Sequence, residues 1–280
     1  LMASQHIQSE DSSLAKLFQS FYVVPDYQRE YVWGTEQVEQ LLMDVRDEMG
    51  NGAPADAPEY FIGSIVVCPG KDGVLDLIDG QQRMTTLYIA LCAIRDKLAA
   101  LSAPSMAVLN SQIADSMVDV SGEERRRYRL DLQYVDSGNA LIRMAEADPV
   151  TGPLTSSMQN MLNAHRVTGR FLNSEFGNDA SAVRGFYGYL SNKVKLIKIQ
   201  TEDVAKALKI FETINDRGVG LNSMDLLKNL LFMKAPSDKF DTLKTTWKEL
   251  QDTIFDMKEK PLRFLRYFIF SRYDIEMLRE

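Results

Sequence analysis

Short β-branched runs alternate with longer stretches of helical spacing in the first hundred residues. Strand-like runs occupy residues 21–24, 61–67 and 74–78. The Pro-Gly-Lys-Asp-Gly segment between the last two runs predicts a hairpin turn. Apolar residues at helical spacing predict helices over 36–49, with Thr35 as N-cap, and over 85–101. This order of elements predicts a small sheet that carries helices.

The rest of the chain is mainly helical in pattern, with one further strand. Residues 194–199 alternate with the period of a strand, and we expect them to pair with the early strands. Helical patterns follow at 204–214, 224–233, 240–257 and from 262 onward. We therefore predict an α+β fold with four regions, namely an α/β domain (1–102), a mainly helical insertion (103–192), a strand and helix pair completing the first domain (193–235) and the start of a helical C-terminal region (236–280).

Composition and charge narrow the class of protein. The 280 residues are 45% hydrophobic and 25% charged, as in globular proteins. Apolar runs are far shorter than the about 18 residues that a membrane span needs, and we expect a cytoplasmic protein with Cys68 and Cys92 reduced. The net charge of −7 gives no general attraction for nucleic acid, so a DNA contact must be local. The basic cluster at 124–129 either contacts DNA or faces water.

The most informative polar cluster is Asp-Gly-Gln-Gln-Arg at 79–83, between a predicted strand and a predicted helix. Free N–H groups at such a helix start attract phosphate, and Arg83 can bind phosphate oxygens in a bidentate way. Either glutamine could orient a water, and Asp79 could hold Mg²⁺ or accept a proton. The candidate catalytic residues are Asp79, Gly80, Gln81, Gln82 and Arg83. The alternative is a structural turn in which Thr85 or Thr86 caps the helix.

A second cluster lies at 211–228, where the pattern indicates a helix end, a glycine turn and a new helix. Asn215 and Arg217 follow the first helix, and Lys228 lies about one turn into the second. These three residues, with Arg83 and Thr85, are the candidate nucleotide-binding residues. The alternative is a helix hairpin in which Asp225 caps its own backbone.

A third cluster, Pro-Asp-Tyr-Gln-Arg-Glu-Tyr-Val-Trp, occupies residues 25–33 and is called the aromatic segment below. Aromatic rings beside an arginine can form a wall on which a base stacks or an apolar group is enclosed. The candidate residues for binding a DNA modification are Tyr27, Gln28, Arg29, Tyr31 and Trp33. The alternative places these rings in the core.

The aromatic segment, Phe61 to Ile65 with 78–83, and 215–228 together resemble the GmrS-type N-terminal domain of GmrSD-like restriction proteins. That domain is similar in fold to ParB and sulfiredoxin, and the resemblance extends through about residue 229. It implies hydrolysis of GTP or ATP with Mg²⁺ at Asp79. It also implies recognition of double-stranded DNA that carries modified bases or phosphorothioate linkages, and a C-terminal HNH nuclease domain as partner.

Two departures limit what this chain can do. The only histidines, His6 and His165, lie in unrelated contexts, so we expect the HNH site and any further C-terminal region to lie outside this sequence. A P-loop motif is absent, so an NTPase here is of another kind. A DNA-binding module without hydrolysis, or direct DNA nicking by the Asp79 cluster, are the alternative functions, and dimerisation stays open.

Overall fold

The computed structural model describes most of the first 202 residues and part of the remainder. The described residues are 8–26, 28–118, 121–202, 207, 231, 235, 239–257, 264, 267–268 and 271–272. The chain divides into two compact units, 1–207 and 208–280. Within the second unit, the main described element is the helix α8 (Phe240–Asp256), at a position where a helix was predicted.

The first unit combines a sheet with helices. Its strands are β1 (Gln8–Ser13), β2 (Tyr22–Val24), β3 (Tyr60–Pro69), β4 (Leu75–Asp79), β5 (Ala114–Val118), β6 (Glu124–Tyr128), β7 (Leu130–Leu132) and β8 (Val194–Gln200). Its α-helices are α1 (Leu14–Leu17), α2 (Thr35–Met49), α3 (Gln81–Ala100), α4 (Ala107–Ile113), α5 (Ala140–Ala145), α6 (Ser156–Phe176) and α7 (Ala180–Asn192). Single 3-10 turns lie at Lys71–Gly73 and Val135–Ser137.

Six strands form one mixed sheet in the order β1-β8-β3-β4-β2-β7. Strands β3 and β4 form the predicted antiparallel hairpin, and β8 pairs with β1 and β3 as expected for residues 194–199. Strand β2 lies between β4 and β7 and is parallel to both. The α+β prediction is confirmed. The predicted helical insertion also contains β7, which belongs to the main sheet although it is only three residues long.

The core lies between one face of the sheet and helices α2, α3, α6 and α7. Ile65, Val67 and Leu77 point from β3 and β4 into this core and are fully buried. Every second side chain along a strand lies on the same face of the sheet, which explains why these residues share the core. Helix α3 is buried almost all round from Met84 to Ile94. The turn between Asp79 and Gln81 is therefore held between the sheet and the buried helix α3.

Two helix starts differ from the prediction. Helix α3 begins at Gln81 rather than at residue 85, because its first turn is polar and carries no apolar pattern. Helix α2 is capped at Gly34, whose N–H donates to Gln37 Oε1 at 2.9 Å, and Thr35 is already helical. Element boundaries depend on local hydrogen bonds that hydrophobic spacing does not report.

Both cysteines are reduced and buried, as predicted, and burial raises the pKa of the Cys92 thiol to about 12. Both residues are fully buried. Among the described helices, none combines the length and apolar character of a transmembrane segment.

Candidate functional site

The turn from β4 into α3 is built around Gly80. Its backbone is left-handed (φ 85°, ψ 10°), and a Cβ at this position would lie 2.6 Å from Ile65 Cγ2. Both facts require glycine, because other residues rarely adopt this conformation and a methyl group would collide with β3. In the described part of the chain no side chain caps α3. The first-turn N–H groups therefore receive no hydrogen bond from an N-cap side chain, and the phosphate site expected here stays a prediction.

The guanidinium of Arg83 lies flat against β3. Its Nη1 donates to the Ser64 carbonyl at 3.1 Å, and a Cβ on Gly63 would lie 3.0 Å from the same nitrogen. Gly63 has a φ of +111°, which only glycine adopts readily. We assigned no role to Gly63 from the sequence. A glycine within a β-branched run is a signal of close approach by another group, and this signal could have identified it.

The charges of Asp79 and Arg83 influence each other in a partly buried setting. Burial raises the pKa of the Asp79 carboxyl, while the Gly80 N–H and the Arg83 charge lower it. Burial also lowers the pKa of Arg83, and the Asp79 charge raises it. Both side chains keep partial exposure. Their charges can therefore meet a ligand in surroundings where water screens them weakly.

Gln82 is held by the backbone of the aromatic segment. Its Nε2 donates to the Glu30 carbonyl at 2.8 Å, and its Oε1 accepts from the Val32 N–H at 2.8 Å. Each end of the amide makes one hydrogen bond to the backbone, which holds Gln82 against the aromatic segment. Gln81 is half-buried at the first position of α3, and the water-orienting role of either glutamine stays a prediction.

The aromatic wall predicted from the aromatic segment is wrong in part. Tyr31 is 1% exposed, its hydroxyl shares a hydrogen bond of 2.8 Å with Thr86 Oγ1, and its N–H donates to Tyr134 Oη at 3.2 Å. Trp33 is half-buried and packs against the core. Tyr31 therefore has a structural role, since a ring inside the core cannot stack on a base. Tyr27 lies outside the described residues.

Thr85 was predicted to bind nucleotide, and its position is not compatible with that role. Its side chain is 2% exposed, within the buried part of α3. The alternative cap by Thr86 is equally wrong, because Thr86 Oγ1 donates to the Gln82 carbonyl one turn earlier. Both threonines lie beyond the helix start, because α3 begins at Gln81.

Gln28 and Arg29 occupy different environments on the same segment. Arg29 is exposed, whereas Gln28 is 5% exposed. Within the described structure, Gln28 Nε2 has no hydrogen-bond partner. A buried donor left unsatisfied is destabilising by about 1–3 kcal/mol, and most such groups are satisfied by water or a ligand. Gln28 is therefore the most distinctive polar group of the aromatic segment.

The second predicted cluster cannot be placed relative to the first. Asn215, Arg217 and Lys228 lie outside the described residues, so their convergence with Arg83 stays a prediction. Over the described ranges, no group of three or more His, Cys, Asp or Glu side chains is arranged to hold a metal ion. Mg²⁺ at Asp79 stays a prediction, and substrate phosphates and water would have to supply most of its other ligands.

The basic cluster at 124–129 is largely committed to internal contacts. Arg129 is 7% exposed and binds Ser111, Gln19 and Asp115, while Arg126 pairs with Glu146 at 2.7 Å. Arg129 is thus buried inside the protein and fits neither alternative, whereas the Arg126 side chain stays about half exposed. The cluster also lines a cavity of about 830 Å³, which Asp76 and Asp131 line as well. The residues of the 79–83 turn are not among its lining residues.

Comparison with known proteins places the chain in a family. No curated protein matches this sequence. The family model described as the GmrSD restriction endonuclease, N-terminal domain, matches residues 11–232. This range includes the whole main sheet apart from the first residues of β1, the 79–83 turn and the aromatic segment. The chain therefore belongs to the GmrSD N-terminal domain family of restriction endonucleases.

Proposed function

We propose that this domain binds and hydrolyses a nucleoside triphosphate, GTP or ATP, and that recognition of modified DNA regulates this step within a restriction system. The observation that carries the proposal is the placement of Asp79 and Arg83, whose charges influence each other, at the start of α3, where the N-cap residue Gly80 supplies no side-chain hydrogen bond. A guanidinium, free helix N–H groups and one carboxylate provide anion binding and a site for a divalent cation in one turn. Family membership supports the role in restriction.

Three residues of the turn have a defined part in the proposed reaction. Arg83 and the first-turn N–H groups of α3 bind the phosphates and stabilise the charge that develops during transfer. Asp79 and the phosphates would hold Mg²⁺, which neutralises negative charge on the phosphate oxygens. Gln81 orients a water for in-line attack on the γ-phosphorus. The bond to the β–γ bridging oxygen breaks, the nucleoside diphosphate leaves, and one proton passes to solvent.

The aromatic segment is the proposed contact for the DNA mark. Gln28 offers a buried donor without a partner in the described structure, and Arg29 offers an exposed charge for backbone phosphate. A ligand that accepts a hydrogen bond from Gln28 would remove the cost of leaving this donor unsatisfied. Gel shifts with unmodified, phosphorothioate-linked and base-modified duplexes test this contact. A Gln28→Leu variant that binds all three duplexes as the wild type does would exclude Gln28.

Phosphate release from GTP and ATP tests the hydrolysis. We expect Mg²⁺-dependent turnover that falls about 100-fold or more in Asp79→Asn and in Arg83→Lys, because each removes a group that acts on the transition state. Arg143 and Asp148 form a more exposed pair at 3.6 Å, so Arg143→Lys and Asp148→Asn are matched controls. Full turnover in both site variants would remove the turn from the mechanism.

The same protein distinguishes the alternative functions. A DNA-binding module without hydrolysis would show salt-dependent gel shifts and no heat of nucleotide binding by calorimetry. A nicking domain would relax supercoiled plasmid in the presence of Mg²⁺ without nucleotide. Either result, with no phosphate release, would overturn the proposed NTPase.

A further inference from the structure

The side chain of Gln82 joins the aromatic segment to the proposed phosphate site. It pairs with the Glu30 carbonyl and the Val32 N–H, both at 2.8 Å, much as a neighbouring strand would. Gln82 lies in the first turn of α3 and directly precedes Arg83. These two regions are about fifty residues apart in the chain, and the side-chain amide of Gln82 connects them directly.

A second contact fixes the same two regions one turn further along α3. The buried Tyr31 hydroxyl lies 2.8 Å from Thr86 Oγ1, which itself donates to the Gln82 carbonyl at 2.9 Å. Tyr31 lies between the two backbone groups that Gln82 binds. The first turn of α3 and residues 30–32 are therefore tied at successive helical turns. Packed side chains and hydrogen bonds of this kind are the physical links that can carry energetic coupling between two sites.

We propose that Gln82 is a positioning residue that couples nucleotide binding at the start of α3 to the conformation of the aromatic segment. This coupling rests on the proposed nucleotide site. The ligand on one side is a nucleoside triphosphate with Mg²⁺, and the ligand on the other is duplex DNA. Coupling is reciprocal, so DNA held by the segment changes the affinity for nucleotide by the same factor that nucleotide changes the affinity for DNA.

Trp33 reports on the aromatic segment without any need to know the DNA mark. The chain has two tryptophans, Trp33 and Trp247, and 5-fluorotryptophan labelling gives each a ¹⁹F resonance, assigned with Trp33→Phe. Trp33 follows Val32, whose N–H is bound by Gln82. The full chain is titrated with Mg²⁺ and the non-hydrolysable imido analogues of GTP and ATP, while calorimetry measures nucleotide binding independently.

We expect the bound analogue to shift the Trp33 resonance in the wild type, and we expect Gln82→Met to abolish this shift. Methionine keeps the length of the side chain but can neither donate to Glu30 nor accept from Val32 with comparable strength. Gln82→Glu keeps the acceptor and loses the donor, so a reduced shift is expected. Gln40→Met is the matched control, since Gln40 donates to Asp44 on the exposed side of α2 and should leave the shift intact.

The outcomes separate the coupling from the proposed function. Nucleotide binding without a Trp33 shift in the wild type, or an undiminished shift in both Gln82→Met and Gln82→Glu, would overturn the coupling and leave the nucleotide site standing. No heat of binding in the wild type would overturn the nucleotide site itself, and the coupling with it. An unchanged melting temperature shows that the variants retain the fold, and Trp247, which lies in the second unit, serves as the reference resonance.

Discussion

Adding a methyl group at Gly63 tests whether the position of the Arg83 guanidinium on β3 matters. A Cβ there would lie 3.0 Å from Arg83 Nη1 and 3.2 Å from both Cζ and Nη2. These distances are shorter than ordinary van der Waals contact, so Gly63→Ala must displace the guanidinium by several tenths of an ångström. The φ of +111° adds backbone strain, because side chains with a Cβ avoid this region.

The magnitudes follow from these two effects. Backbone strain of this kind costs about 1–3 kcal/mol, and loss of the charged hydrogen bond to Ser64 costs about 1.5–3 kcal/mol. At about 2–4 °C per kcal/mol for a unit of this size, Gly63→Ala should lower the melting temperature by roughly 5–20 °C. A 1 Å misplacement of a group that acts on substrate costs about 100-fold, so phosphate release should fall at least about tenfold.

Gly152→Ala separates strain from displacement of the guanidinium. Gly152 has a φ of +95°, and no heavy atom of the described chain lies within 4 Å of an added Cβ. Calorimetric melting and phosphate release at saturating nucleotide are measured for both variants. Gly152→Ala should lose stability and keep its turnover. Wild-type turnover in Gly63→Ala would show that the position of Arg83 on β3 is irrelevant to hydrolysis.

Three further predictions concern ionisable groups. Burial raises the pKa of Asp79 and the Arg83 charge lowers it, so Arg83→Gln should raise this pKa further, as measured by carbon-detected NMR titration. The folded chain keeps the Asp79 proton to higher pH than the unfolded chain does. The contribution of Asp79 to stability should therefore fall as pH rises from its unfolded-state pKa to its folded-state pKa. Cys92, with its pKa raised to about 12, should react with a thiol reagent only after unfolding. Two lysines lower the pKa of Glu10 to about 2. The roughly 1 kcal/mol that this exposed ion-pair network contributes to folding stability should disappear as pH falls from about 4.5 to 2. Glu10→Gln should remove this pH dependence in acid denaturation.

The local part of the site was predictable from sequence. A strand, a glycine and a polar helix start define the turn at 79–83, because each depends on residues that are neighbours in the chain. The pairing of β3 with β4 followed from the turn at 69–73 in the same way. The prediction of an anion site at the start of α3 therefore needed no tertiary information.

The contacts that give individual residues their roles depend on the tertiary structure. By residue type, Gln82 and Tyr31 both suit a binding site. In the structure, Gln82 forms hydrogen bonds to the backbone, whereas Tyr31 is buried in the core. Their partners lie about fifty residues away in the chain, and hydrophobic spacing contains no record of such pairs. Strand β7 was missed for a related reason, since three residues are too few for a period to be recognised.

The hydrogen bonds of Gln82 to residues 30 and 32 involve only main-chain atoms, namely the carbonyl of residue 30 and the amide of residue 32. Every amino acid offers this carbonyl, and all but proline offer this amide, so the anchoring does not constrain which side chains these two residues present. The side chains at positions 30 and 32 can thus change while the attachment of this segment to the first turn of α3 stays the same. Proline at position 32 is the exception, because it lacks the amide that Gln82 binds.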